Sequence, residues 1–154
     1  MLTVEIEYLD GGEWIPQEIT LDVDKDMALS EETLDGDMCG LPRAIAYYAE
    51  IAAECQAKAS RKKNQMEVAE ADESQGVRKT SKDAGEKVTE AGIKEQVLVT
   101  GHVIRARETY YEAERQYRMM DGFYRALREK ASLSIAICYK LKEEIRVQSS
   151  PLND

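Results

Sequence analysis

Thirteen positions constrain this chain more than anything else in it: Val103, Ala106, Tyr110, Ala113, Tyr117, Met120, Tyr124, Leu127, Ala131, Ser134, Cys138, Leu141 and Ile145. They follow one another at alternating steps of three and four, and only Ser134 is plainly polar. That spacing returns to one side of an α-helix every seven residues, so the side chains form a stripe that another helix must cover. The spacing predicts a helix over about 102–146 that pairs in the manner of a coiled coil.

A partner for the stripe lies upstream. Gly40-Leu41-Pro42 reads as a helix start, because proline at the first helical turn lacks only an N–H that would be unpaired anyway. From there Ile45, Tyr48, Ala52, Cys55, Ala59, Lys62, Met66 and Ala69 repeat the three–four step. The alanines allow close approach, and Lys62 is expected to reach past the seam to water. This helix is predicted over about 42–72. Residues 72–86 lack a sustained apolar period and read as a loop or frayed end. A short helix follows over 86–99, with Val88, Ile93, Val97 and Ala91 as inward candidates, broken at Thr100-Gly101. The two long helices pair most economically as an antiparallel hairpin, although a parallel coiled coil between subunits satisfies the same period. Seam residues Tyr48, Cys55, Tyr110, Tyr117, Tyr124 and Leu127 are then the expected contacts.

The first 24 residues are of another kind. Leu2, Val4, Ile6 and Tyr8 alternate with Thr3, Glu5 and Glu7, the period of a half-buried strand with the glutamates on the outer side. Asp10-Gly11-Gly12 is a turn signal, and Ile15, Ile19, Leu21 and Val23 suggest a return strand in which Pro16 demands an edge. A lone two-stranded hairpin is marginal in water and must dock on something. Residues 25–41 read as an irregular acidic connector and 148–154 as a flexible tail. The expected fold is therefore mainly α: a long antiparallel helical hairpin plus a short helix, with a small N-terminal β-hairpin arm.

Charge divides the same way. Residues 1–40 hold twelve acids and one base, Lys25, whereas residues 41–154 hold twenty bases and eighteen acids. An acidic arm is thus joined to a slightly basic helical body. Three cysteines without CxxC spacing fit a reduced intracellular protein, and no signal peptide or apolar run of membrane-spanning length is evident. With one histidine, His102, neither a conventional zinc site nor a Ser-His-Asp arrangement can be assembled, so no enzymatic activity and no cofactor are expected. His102 reads as a capping or surface residue.

The basic residues carry the positive signal. Lys58, Arg61, Lys62 and Lys63 cluster in the first long helix, and Arg78, Lys79, Lys82 and Lys87 lie in or beside the following loop. The last helix interleaves arginines with Tyr110, Tyr111, Tyr117 and Tyr124. Cationic surfaces with aromatic faces bind single-stranded nucleic acid through phosphate contacts and stacking. Against this, tyrosines at heptad spacing serve as core, and Arg115 and Arg118 stand beside Glu112 and Glu114 as ordinary helix ion pairs.

Several patches together resemble a known family. They are Tyr47-Tyr48, the basic Arg61-Lys62-Lys63, the Ala/Glu-rich Glu67–Ala71, and Val77-Arg78-Lys79. Lys87–Lys94, Ala113–Tyr117, Met120–Phe123 and Ala126–Lys130 complete the pattern. In this layout the stretch Leu41 to Glu144 resembles the recombination mediator proteins of tailed phages, the UvsY-like group. The resemblance implies a homo-oligomeric, ring-like protein that binds single-stranded DNA. It would help a recombinase displace single-strand-binding protein, in the cytoplasm of the host cell. It also implies that Arg78 and Lys79 carry the DNA contact, with Arg61, Lys62 and Lys63 as extensions and Lys82 and Lys87 beside them. The acidic arm departs from that pattern; it could contact a basic partner or compete with DNA for the basic face. The alternative expectation is a structural or chaperone-like assembly protein that binds protein and not nucleic acid.

Overall fold

The computed structural model describes residues 1–28 and 34–149, apart from the side chains at 35, 37, 148 and 149. Two strands, β1 (Leu2–Asp10) and β2 (Glu13–Leu21), form a two-stranded antiparallel hairpin. Gly11 and Gly12 make its turn, both at positive φ, where a Cβ is disfavoured. The same register brings the Thr3 and Thr20 hydroxyl oxygens within 3.3 Å. Pro16 is tolerated because β2 keeps one open edge. Four helices follow: α1 (Val23–Met27), α2 (Leu34–Asp83), α3 (Glu90–Val99) and α4 (Gly101–Ser149). The long helices α2 and α4 pack against each other, as the two seams require. Among the described residues no helix is long and apolar enough to cross a membrane.

The chain divides into two units. One holds residues 1–4, 18–52 and 119–154. Its core joins Leu41, Tyr48 and Ile51 of α2 to Met120 and Leu127 of α4, with Val4 and Leu21 from the base of the hairpin. The Cys138 thiol lies 3.1 Å from Met38 Sδ, which sets the antiparallel register. Ile145, the last seam position, is 65% exposed. The polar seam residue Ser134 is fully buried, and its hydroxyl donates to the Lys130 carbonyl at 2.9 Å. A serine can sit in an apolar stripe on these terms, because its polar atom finds a partner within its own helix. Helix α1 is tied in at Asp26: Tyr48 donates its hydroxyl to the carboxylate at 2.6 Å, and Lys130 donates to the backbone carbonyl at 3.0 Å. Burial, then the Asp26 hydrogen bond and charge, pushes the Tyr48 phenol well above its usual range.

The other unit holds residues 5–17 and 53–118. Ile93 and Val97 of α3 pack with Val103 of α4 against the partly buried Ala69, Val77 and Val88. Thr89 caps α3, its hydroxyl accepting from the Gly92 N–H at 3.2 Å. The Thr100 hydroxyl donates both to Gln96 O and to Glu73 Oε1. Ala91, an inward candidate by sequence, is exposed.

Helix α2 extends beyond its predicted limits at both ends. It begins at Leu34, not near Pro42, and Pro42 lies inside it. Much of the expected irregular connector 25–41 is thus helical, although residues 29–33 lie outside the described set. Leu34, Met38, Leu41 and Ile45 continue the three–four step upstream, and burying that stripe offsets the hydrogen bond lost at Pro42. The expected loop at 72–86 is helical to Asp83. The stop is Gly85, at φ +72°. Glu86 N–H donates to Ser81 O at 2.9 Å and Gly85 N–H to Lys82 O at 3.1 Å, the two bonds of a Schellman cap. The predicted tail 148–154 is helical through Ser149 and lies outside the described residues beyond it.

Candidate nucleic-acid interface

Seven basic residues were singled out by the sequence, and they fall into two groups on α2 and the connection after it. Arg61, Lys62 and Lys63 form one. Arg78, Lys79, Lys82 and Lys87 form the other, roughly 24 Å further along from Lys62 to Arg78 at the rise of an α-helix. The two groups do not merge into one patch.

In the distal group, Lys79, Lys82 and Lys87 are exposed to solvent. Arg78 is half exposed, and its Nη2 meets Glu90 Oε2 at 2.8 Å across the turn to α3. That pair is open to water, so a phosphate can exchange for the carboxylate at little cost. The Schellman turn at Gly85 folds the chain back and carries Lys87 to the same end as Lys79 and Lys82.

The proximal group is occupied from within the chain. Lys58, which stands one turn before Lys62, is 6% exposed. Its Nζ donates to the Glu5 carboxylate at 2.6 Å and to the Glu5 carbonyl at 3.0 Å. Glu7 receives both neighbours, Lys62 Nζ at 2.8 Å and the Arg61 guanidinium at 3.3 Å. The face of the same guanidinium lies on the Trp14 ring, 3.6 Å from its centroid. Lys63 points elsewhere, toward Glu67 one turn on, at 3.8 Å.

Two expectations are corrected here. Glu7, assigned to the outer face of β1, is buried at 8% exposure. Glu5 and Glu7 project from the same face of β1, and that face lies on α2, where Lys58, Arg61 and Lys62 take up both carboxylates. Lys62 does not reach to water but to Glu7. Burial alone would raise the Glu7 carboxyl; the Lys62 hydrogen bond and charge, followed by those of Arg61, outweigh it and hold the group below the usual carboxylate range.

The seam residues divide by depth. Tyr48, Cys55 and Leu127 are buried, whereas Tyr110, Tyr117 and Tyr124 are half-buried and Tyr111 is exposed. Burial pushes the Cys55 thiol up despite the opposing Lys58 charge, which makes it a packing residue and a poor nucleophile. Four arginines of α4 are engaged on their own surface or on α2: Arg107 with Glu70, Arg115 with Glu112, Arg118 with Glu114 and Arg125 with Asp121. His102 is a surface residue, 3.6 Å from Glu73. Sequence reasoning missed Glu5, Glu7 and Trp14 as parts of the basic site. A local window cannot pair strand carboxylates with lysines fifty residues away, and the one available signal was an acidic arm that had to dock somewhere.

No family model matches this chain, and no curated protein or solved structure is significantly similar to it.

Proposed function

We propose that the chain binds single-stranded DNA as a homo-oligomer and acts as a recombination mediator that assists a recombinase in replacing single-strand-binding protein. The observation that carries this reading is the solvent-facing basic end of α2. There Lys79, Lys82 and Lys87 are exposed, and Arg78 is held only by an exposed pair with Glu90. The likeness of Leu41 to Glu144 to phage mediators points to the same residues. Subunit association multiplies one small basic patch and raises the effective affinity for a polyanion through multivalency. Fluorescence anisotropy of a labelled oligothymidylate tests the reading. The full chain binds at low salt and releases as salt rises, because neutralised phosphates take their counterions back. R78E/K79E weakens binding at least tenfold. Absence of binding at low salt would refute the proposal.

A second reading is favoured by one observation. The carboxylates of Glu5 and Glu7 already satisfy Lys58, Arg61 and Lys62. This is what an assembly or chaperone-like coiled-coil protein with no nucleic-acid ligand would show. Light scattering with and without oligonucleotide separates the two: that protein is an oligomer indifferent to DNA.

A further inference from the structure

The half of the hairpin that lies over α2 is held by charge and hardly at all by apolar burial. Among residues 5–17 no apolar side chain is buried; Ile6 and Ile15 are half-buried and Trp14 is 48% exposed. What fastens it is Glu5 on Lys58, Glu7 on Arg61 and Lys62, and the Trp14 ring under Arg61. The base of the hairpin is fastened differently, by the buried Val4 and Leu21. The ion pairs are partly buried, so salt alone screens them less than surface pairs, but a polyanion that brings several phosphates can replace the carboxylates on the same cations, which it cannot do for a buried apolar contact. Two carboxylates on three cations, with an aromatic ring on the guanidinium, also reproduce what a stretch of single strand offers: phosphates for the cations and a base to stack.

Resting on the DNA-binding reading above, we propose that the acidic hairpin is a displaceable cover. Glu5 and Glu7 occupy the phosphate positions of a second DNA-binding face made by Lys58, Arg61 and Lys62, and a single strand gains that face by lifting the tip of the hairpin away. The base remains anchored while the tip moves. The arm therefore sets a threshold: short or sparse polyanions meet only the Arg78–Lys87 end, whereas a long strand engages both faces. The exposed Trp14 ring is then free to stack on a base.

The test compares the full chain with E5Q/E7Q, whose amides keep the hydrogen-bond acceptors and remove the charge, and with E7Q alone, which spares the buried Lys58 pair. Labelled oligothymidylate is titrated at several salt concentrations. The cover predicts on the order of tenfold tighter binding by E5Q/E7Q and a log–log salt slope steeper by about two, as three cations become available. E7Q lies between, and adding R61Q/K62Q to E5Q/E7Q abolishes the gain. Equal affinity and slope in the full chain and E5Q/E7Q would overturn the cover while leaving the DNA reading intact. A gain that survives R61Q/K62Q would also overturn it. Absence of binding by every variant would overturn both. Circular dichroism confirms that each variant retains its helices, and if E5Q/E7Q loses them E7Q carries the comparison.

Discussion

The guanidinium of Arg61 is held on two sides at once: Trp14 stacks against its face at 3.6 Å, and Glu7 accepts from its edge at 3.3 Å. Both partners come from the β-hairpin, on different strands, and together they fix where that hairpin meets α2. A cation met by both a ring and a carboxylate is satisfied in the manner of a nucleic-acid contact, so under the proposed function the arm and a DNA strand would compete for the same residues.

The Lys58–Glu5 pair is lopsided, and its two halves should not be equally costly to remove. Lys58 has a side chain 7% exposed, whereas Glu5 is 43% exposed. Glu5→Ala leaves a buried ammonium with only a carbonyl partner and is expected to cost about 1–3 kcal/mol. Lys58→Met leaves a carboxylate that water can solvate, fills the same volume and costs about 1 kcal/mol or less. Urea denaturation of the two variants measures the difference.

Acid should loosen the tip of the hairpin. The folded-state pKa of Glu7 lies below its ordinary 4.5, so its contribution to stability is fully present above that value and is lost as pH falls through the lower, folded-state value. Thermal unfolding followed between pH 6 and pH 3 should show a loss in the full chain that is smaller in E7Q. An equal loss in both would assign the acid sensitivity to other carboxylates.

Two glycines of α2 and its cap should respond to alanine with opposite signs. Gly85 sits at φ +72° in the Schellman turn, and Gly85→Ala is expected to destabilise by about 1 kcal/mol. Gly76 lies within the helix with nothing near the position of an added Cβ, and Gly76→Ala is expected to stabilise by up to about 1 kcal/mol. Denaturant midpoints check both.

The seam was legible because a seven-residue period is local. Ala113, Met120, Leu127 and Ser134, one heptad position repeated, are all at 2% exposure or less. The ends of α2 were harder to read. Pro42 outweighed Leu34 and Met38 in a reading that treats proline as a start, and the polar run after Glu73 hid a helix that stops only at Gly85. The site was legible as residue types and illegible as an arrangement. Lys58, Arg61 and Lys62 announce a cationic face, but their pairing with Glu5 and Glu7 depends on how a twisted ribbon lies on a distant helix.

Trp14 is the one tryptophan in the chain, so its emission reports on the hairpin alone. The most direct test records that emission while labelled oligothymidylate long enough to span both basic faces is titrated into the full-length protein, with anisotropy followed in the same cuvette. A displaceable hairpin predicts that emission changes in step with binding, as the ring leaves Arg61 and meets a base. Saturated binding with unchanged Trp14 emission, or no binding at low salt, would contradict it.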